Sequence, residues 1–484
     1  MSILRRFIAI AGAGMALSGV AGAQRSTKLP GRPTALPAAK PFQFPAFTLD
    51  TLSNGLRFAV IENHEIPMVT VRTAFAGYGP YGTWFLDPAG KEGAWGILLS
   101  MLREGTTTRS TTQIVDETAD LGSEFLHSVP TTFNSPMFRS AKSTWVPTLA
   151  LFGDLLMNPS IPTDRFERLQ TTTATALDRL SATTQATRLL FSTMFGSTSE
   201  YSRFATSASV KALTRDDLVA MKQMYLGPQN AIFVIGGDVT RAEVRRALTE
   251  VFGNWERATS TVAPMVPSVP QVRAPTTIYL KDAPGQANPV FTSGQVMPGR
   301  DHGDGAAIEV LASVLGDAGV SSGSRVYRAF RTDAGLSYGP NVQLGSRPSP
   351  ENVVLVGSFS VAPTAVEQAV NLWVQVVRDL KGPKPILESE LEFSKNNLIG
   401  GLPISTETLD GMTLQVINAL RSRLPPTYLN EWITRVSGLT LGQAQAAATQ
   451  YLDPEHMPIV VIGDRSKIEA GLRATGFPVV IVEK

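Results

Sequence analysis

The strongest constraint on the fold is that the sequence repeats itself at a long, nearly constant spacing. A Leu-Thr pair at Leu213 recurs at Leu439, and an aspartate that follows an apolar run, Asp238, recurs as Asp464. Both separations are 226 residues. A spacing of this length predicts two related halves, each long enough to form its own core.

Nearer the start of each copy the separation is shorter. The segment 122–125 (Gly-Ser-Glu-Phe) corresponds to the segment 335–338 (Gly-Leu-Ser-Tyr), which lies 213 residues later. A duplication followed by modest insertions and deletions explains both spacings. Within each copy, helical and strand patterns alternate, which predicts an α/β fold with helices packed on a sheet.

The N-terminus has the pattern of an export signal. Two arginines precede the apolar run 7–20, and the small residues 21–23 form a cleavage site. A membrane anchor is the alternative, but the apolar run is too short and too rich in glycine to favour a bilayer span. We therefore expect residues 1–23 to be a signal peptide and the mature protein to be periplasmic, with no membrane partner after cleavage.

Composition excludes several kinds of chemistry. The chain has no cysteine, so disulfides, thiolate catalysis and thiolate metal sites are impossible. Its net charge of +2 does not imply a nucleic-acid partner. The four histidines stand far apart in the sequence, at no spacing typical of metal ligands: His64, His127, His302 and His456.

Changes in composition divide the chain into segments. Residues 24–45 are rich in Pro, Ala and Lys and are predicted to be an extended lead-in. Residues 258–274 are rich in Pro, Val and Thr without clear periodicity and are predicted to be a linker. The predicted folded halves are therefore residues 46–257 and 275–484.

The segment 324–338 predicts a helix that stops at Gly335, and a strand is predicted over 336–344. Arg331 then lies in the last helical turn and Tyr338 on the strand. A guanidinium and a phenol hydroxyl at these places can point at one spot. The alternative is an arginine that satisfies helix C-terminal carbonyls and a tyrosine half-buried on a sheet.

This segment resembles the part of insulinase/pitrilysin-type zinc peptidases in which an Arg and a Tyr, seven residues apart, hold the substrate carbonyl. The segment 51–62 resembles the opening strand pair of that family, and the helix predicted over 92–103 resembles its zinc helix. The resemblance extends over nearly the whole mature chain. It implies two homologous α/β sandwich halves in a clam-shell arrangement, each a mostly antiparallel sheet packed against helices.

The same resemblance implies that the metal site is lost. Active members carry His-x-x-Glu-His on the zinc helix and supply a further Glu from a later helix. The corresponding positions here are Gly96, Leu99, Ser100 and Ala176, and none of these is an imidazole or a carboxylate. We therefore expect no metal and no cofactor in this chain, with zinc in a partner chain.

A glycine-rich loop over 316–324 precedes the Arg/Tyr segment. It is no phosphate loop, because the required Gly-Lys-Ser/Thr ending is absent. Its position resembles the glycine-rich loop of the non-catalytic subunit of the mitochondrial processing peptidase. The alternative is a plain interhelical loop.

Three functions are consistent with these patterns. The first is the non-catalytic, substrate-binding subunit of a periplasmic two-chain zinc metallopeptidase that cleaves unfolded peptides, donating Arg331 and Tyr338 to its partner's zinc site. The partner would be a homologous zinc-bearing subunit in a heterodimer, and a homodimer stays open. The second is a structural or binding scaffold on the same fold. The third, another kind of hydrolase, is disfavoured because no Gly-x-Ser-x-Gly elbow or paired-carboxylate motif stands out.

Overall fold

The structure is a computed structural model that describes residues 42–75, 86–126, 136–262, 274–316, 323–346 and 352–483. The predicted signal peptide therefore lies outside the described residues, as do most of the predicted lead-in, linker and glycine-rich loop. Among the described residues, no helix has both the length and the apolar character that crossing a membrane requires.

The strands of the first half form one six-stranded sheet. They are β1 (Thr48–Thr51), β2 (Arg57–Glu62), β3 (Met68–Phe75), β4 (Glu124–Leu126), β5 (Met137–Ala141) and β6 (Ala231–Gly237). Their order across the sheet is β1-β2-β6-β3-β5-β4. Strands β2 and β6 run parallel, and the other neighbours are antiparallel. Every residue of the inner strand β6 is buried, which explains its almost wholly apolar sequence.

The helices of the first half pack against this sheet through alternate strand residues such as Phe58 and Val60. Thr214 and Thr240 cap two of these helices, and each forms a capping box with an acidic residue three positions later. The helices are α1 (Ala94–Met101), α2 (Thr111–Asp120), α3 (Trp145–Met157), α4 (Thr163–Leu177), α5 (Ala182–Phe195), α6 (Ser207–Lys211), α7 (Arg215–Tyr225) and α8 (Arg241–Phe252).

The second half forms its own six-stranded sheet. The strands are β7 (Ile278–Asp282), β8 (Val290–Pro298), β9 (Asn341–Ser346), β10 (Asn352–Ser360), β11 (Ile459–Gly463) and β12 (Val479–Val482). Their order is β12-β7-β11-β8-β10-β9. Strand β7 runs parallel to β11 and β12, and the remaining neighbours are antiparallel.

A second set of helices covers this sheet. Thr440 caps one of them with a capping box, as Thr214 does in the first half. The helices are α9 (Gly305–Leu315), α10 (Arg325–Tyr327), α11 (Val366–Lys381), α12 (Glu388–Ser405), α13 (Leu409–Arg421), α14 (Tyr428–Ser437), α15 (Leu441–Tyr451) and α16 (Arg465–Ala474).

Five strands of each sheet follow the same connectivity. The order β2-β6-β3-β5-β4 in the first sheet corresponds to β7-β11-β8-β10-β9 in the second. In both sheets the first of these strands is parallel to the second, and the rest are antiparallel. The predicted α/β fold with two related, mostly antiparallel sheets is therefore confirmed.

Each half contributes one helix to the sheet of the other half. Helix α5 contacts β8 and β11 of the second sheet, and helix α13 contacts β3 and β6 of the first. Leu190 and Phe191 of α5 belong to one buried cluster with Val460 of β11. Where α13 crosses β6, a Cβ at Gly236 would lie 2.9 Å from the Thr413 side chain, so glycine permits this close approach.

Polar contacts fix the exchanged helix α13 on the first sheet. The Asp410 carboxylate, in the first turn of α13, accepts a hydrogen bond of 3.1 Å from the Thr70 hydroxyl. It also pairs with the Arg139 guanidinium at 3.3 Å. The contact between the halves thus includes charged groups as well as apolar ones.

Candidate functional site

The segment that carries Arg331 is a short helix that widens into a π-helical turn. Ser324 caps α10 by accepting a hydrogen bond from the Tyr327 N–H, and residues Arg328–Asp333 then continue as π-helix. The Ala334 N–H donates to the Ala329 carbonyl at 3.1 Å, five residues back. Such turns rotate the side chains that follow them and are frequent at functional sites.

Tyr338 does not lie on a strand, contrary to the sequence prediction. Strand β9 begins at Asn341, and the intervening residues form a turn. The reason is that the Leu336 and Ser337 N–H groups both bond back to the Phe330 carbonyl, at 2.7 and 3.3 Å. Pro340, which has no N–H, then separates this turn from the strand.

The structure brings Arg331 and Tyr338 into direct contact. The Arg331 Nη1 donates a hydrogen bond of 3.1 Å to the Tyr338 carbonyl, and its guanidinium carbon lies 3.8 Å from the centroid of the Tyr338 ring. The Tyr338 side chain is 83% exposed. Neither residue has the environment of the structural alternative, since the arginine bonds a turn carbonyl and the tyrosine is not half-buried on a sheet.

This pair presents hydrogen-bond donors at the surface. In the part of the chain that the structure describes, no group hydrogen-bonds the Tyr338 hydroxyl, and Arg331 has donors beyond the one bonded to the Tyr338 carbonyl. A planar guanidinium and a phenol hydroxyl on adjacent side chains can both donate to one oxygen atom. Beside them, Asn288 and residues 360–362 help to line a surface cavity of about 290 Å³.

A buried carboxylate holds the Arg331 segment against α12. Glu390 pairs with Arg325 at 2.6 Å and with Arg328 at 2.8 Å. Burial alone would raise the pKa of Glu390, but Arg325, the Leu387 N–H and Arg328 together hold that pKa below its usual range. Sequence reasoning missed this brace. Two arginines three residues apart on one helix were a signal, but nothing pointed to their distant partner.

The four positions that correspond to the family's metal ligands do not fit zinc. Gly96 and Ser100 lie half-exposed on one face of α1, and the Ser100 hydroxyl donates to the Gly96 carbonyl at 2.9 Å. Leu99 is buried in the hydrophobic core. Ala176 is exposed on α4 and has no polar side-chain atom. This set offers one hydroxyl and no imidazole or carboxylate, so the zinc site typical of the family cannot form here.

No other place replaces that site among the described residues, where no three His, Asp or Glu side chains cluster as metal ligands would. His64, His302 and His456 are each close to an aspartate, at 2.6, 3.7 and 2.9 Å, and lie far from α1 in the sequence. His127 lies outside the described residues.

The helix that would carry the metal is instead organised by Asp87. Its carboxylate accepts hydrogen bonds from the Gly93 N–H at 2.8 Å and the Trp95 N–H at 2.7 Å, and so caps the start of α1. Burial raises the pKa of Asp87 to about 6, although both N–H groups and Arg203 oppose that rise. Sequence reasoning missed this residue.

Comparisons with known proteins agree with the fold. Residues 212–398, which include Arg331 and Tyr338, match the family model described as Peptidase M16 inactive domain. The resemblance to a non-catalytic member of an insulinase-like family is thereby confirmed. A comparison with curated protein sequences gave no match.

Three solved structures have a similar fold. The peptidase M16 inactive domain from Pseudomonas fluorescens is 21% identical, with a TM-score of 0.74 over 86% of this chain and 97% of that one. A protease from Helicobacter pylori is 17% identical, with a TM-score of 0.75 over 86% and 99%. The periplasmic protease PqqL from Escherichia coli is 16% identical, with a TM-score of 0.69. That match covers 95% of this chain but 49% of PqqL, so the chain spans about half the length of PqqL.

Proposed function

Because this chain has the fold of the peptidase M16 structures and carries that family's inactive-domain segment, we propose that it is the non-catalytic subunit of a two-chain zinc peptidase. In this role Arg331 and Tyr338 bind the carbonyl oxygen of an unfolded peptide. A homologous partner chain supplies the zinc, whose chemistry is to activate water and polarise the carbonyl.

One observation carries the proposal. Arg331 and Tyr338 lie together at the surface, while the positions of the metal ligands hold Gly96, Leu99, Ser100 and Ala176. The fold does not require two hydrogen-bond donors side by side at the surface, next to a braced helical segment. A chain that completes another subunit's site needs the donors and not the ligands.

The geometry suits stabilisation of a developing oxyanion. Fixed donors that face the carbonyl oxygen gain strength as negative charge grows there, and they need no reorganisation during the reaction. Glu390 provides the rigidity, because it ties Arg325 and Arg328 to α12 on the same short segment as Arg331. The exposure of Tyr338 leaves its hydroxyl accessible to a bound peptide.

The location of this reaction is part of the proposal. The sequence predicts export through residues 1–23, and the similar structure of PqqL is described as a periplasmic protease. A periplasmic pair would meet peptides after export, where no nucleic acid or membrane partner is required.

A second candidate is a binding scaffold without a role in proteolysis. The observation in its favour is that Arg331 already stacks on the Tyr338 ring and bonds its carbonyl, so the pair also stabilises its own turn. In a scaffold these contacts would be structural, and loss of the Tyr338 hydroxyl would change nothing outside the chain.

Reconstitution tests the proposal. The purified chain alone is expected to bind no stoichiometric zinc and to cleave no peptide, and a zinc-bearing homologue from the same host is expected to gain activity on mixing. Sedimentation should show that the two chains form a complex. We expect a specific complex of this kind to bury more than about 1,000 Å² at its interface. Tight zinc in the pure chain, or peptide cleavage by chains that sediment separately, would refute it.

A further inference from the structure

The second half contains a cavity of about 270 Å³ between α9, α12, α13, α14 and strand β9. Much of its wall is apolar, formed by Ile308, Leu344, Leu398, Leu402, Leu424 and Leu429. Sites for drug-sized ligands usually exceed roughly 300 Å³, so this volume suits a single large side chain better than a cofactor.

Five of the polar side chains in the wall already bond one another. Glu309 accepts a hydrogen bond from the Trp432 indole N–H and pairs with the Arg300 Nε at 2.8 Å. The Gln415 amide donates to the Ser405 hydroxyl at 3.3 Å. Because burying an unsatisfied polar group is unfavourable and these groups have partners, the cavity favours an apolar occupant.

A glycine keeps the rim of the cavity open. Gly401 is exposed, lies within α12 and lines the cavity, and a Cβ built there would meet no atom within 4 Å. Glycine weakens a helix interior relative to alanine, so it is usually explained by close packing. That explanation does not apply to Gly401, since no neighbour excludes a side chain. The space beside Gly401 is therefore accessible to a group from outside this chain.

The cavity also reaches the last strand of the second sheet. In the described residues no strand pairs with the outer side of β9, and Gly345 (φ 111°) interrupts the pairing of β9 with β10 as a bulge beside the cavity. Strand β9 begins three residues after Tyr338. An extended peptide that starts at Tyr338 and follows β9 reaches Leu344 after about five or six residues, at roughly 3.3 Å each.

We propose that this cavity binds one large apolar side chain, aromatic or branched aliphatic, of the same extended peptide whose carbonyl Arg331 and Tyr338 hold. The bound side chain lies about five or six residues from that carbonyl. The proposal rests on the proposed function for the identity of the peptide, whereas the apolar preference follows from the cavity itself.

Binding of a labelled peptide to this chain alone tests the cavity without a partner. The probe is a short soluble peptide of Ser, Gly and Lys with a single Phe, compared with the same peptide carrying Ala. By fluorescence anisotropy the Phe peptide should bind about tenfold more tightly or better, as expected for burial of an aromatic side chain. Gly401→Leu should remove this preference. Gly400→Leu, on the adjacent exposed glycine that does not line the cavity, should retain it.

A second variant that fills the cavity keeps the test decisive if Gly401→Leu does not fold. Ser405→Leu enters the same cavity from another position on α12, and circular dichroism and melting temperature show which variants are folded. A Phe preference that persists in folded Gly401→Leu and folded Ser405→Leu overturns the cavity proposal.

Failure of the cavity proposal can be told apart from failure of the proposed function. Loss of the preference in Gly401→Leu, together with normal turnover by a complex containing Tyr338→Phe, supports the cavity and refutes the carbonyl role. An unchanged preference together with slow turnover by Tyr338→Phe refutes the cavity alone.

Discussion

The guanidinium carbon of Arg331 lies 3.8 Å from the centroid of the Tyr338 ring. At an exposed site such a cation–π contact is worth about 0.5–1 kcal/mol. It places the guanidinium over the ring, and Arg331 keeps N–H groups besides the one bonded to the Tyr338 carbonyl. Two side chains that would each be mobile alone therefore hold one another in place.

Removing the Tyr338 hydroxyl should slow the complex without unfolding it. Tyr338→Phe keeps the ring beneath Arg331 and deletes one donor to the carbonyl oxygen. Loss of such a donor typically lowers kcat on the order of 10²–10³-fold, or about 2.7–4 kcal/mol. Arg331→Ala should also raise KM, because a charged donor binds substrate in the ground state as well.

The matched control is Tyr327→Phe, which deletes a hydroxyl from the same helical segment that forms no hydrogen bond to Arg331 in the described part of the chain. It should turn over normally. If Tyr338→Phe assembles and works within about twofold of the parent, far short of the loss of an oxyanion donor, the pair is structural.

Restoring two histidines on α1 should create a zinc site. Gly96 and Ser100 share one face of the helix, and a Cβ at Gly96 would meet no atom within 4 Å. The double variant Gly96→His/Ser100→His should therefore gain thermal stability on addition of Zn²⁺, by about 2.7 kcal/mol when zinc is at a hundred times its Kd.

The parent and the single variant Ser100→His are the controls, and differential scanning calorimetry is the measurement. Zinc should leave the unfolding temperature of both unchanged. A double variant whose unfolding temperature also does not change with zinc would show that positions 96 and 100 cannot present two imidazoles to one metal ion.

Neutralising Glu390 should destabilise the protein strongly. Glu390→Gln leaves Arg325, which is largely buried, without its counter-charge. Breaking a buried ion pair in this way typically costs about 3–5 kcal/mol. Glu431→Gln on α14, whose partner Arg435 is 3.1 Å away in a pair whose two side chains are both exposed, should cost less than about 1 kcal/mol. Urea unfolding of both variants measures the difference, and equal losses would contradict a bracing role for Glu390.

Asp87 should give the unfolding free energy a distinctive pH dependence. Its pKa is about 6 in the folded protein against 3.8 in the reference state, so the folded protein holds this proton more tightly. Its stabilising contribution is therefore full below about pH 4 and is lost as pH rises through about 6, a change of about 3 kcal/mol.

Asp87→Asn cannot ionise and should lack this dependence. The free-energy difference between parent and variant should change between pH 7 and pH 4 in favour of the parent. Asp116→Asn, on the exposed face of α2, serves as the control. A difference that stays constant with pH would show that Asp87 does not titrate in this range.

Features set by local sequence were predictable. Thr214 and Thr240 cap helices because a hydroxyl followed three residues later by an acidic residue satisfies the first N–H groups of a helix wherever it stands. The duplication could also be predicted from the sequence, because the motifs recur at nearly constant spacing. The structure shows the same strand order in five strands of each sheet.

Features set by distant contacts were not predictable. The strand expected at Tyr338 begins at Asn341 instead, because the Phe330 carbonyl accepts hydrogen bonds from two N–H groups of the turn. The helix expected over 92–103 begins only at Ala94. The residue before it, Gly93, has a φ of 104° and donates its N–H to the Asp87 carboxylate. Neither Asp87 nor Glu390 could be assigned a role from its own neighbours in the sequence.

The exchange of α5 and α13 makes the order of synthesis matter. Helix α13 cannot cover the first sheet until residue 421 has left the ribosome. One face of the first half therefore stays uncovered while much of the second half is synthesised. The two halves are also interlocked. A protease that cut the chain between residues 262 and 274 would leave two fragments still joined by the exchanged helices. A gene divided at that place would encode pieces that can fold fully only in each other's presence.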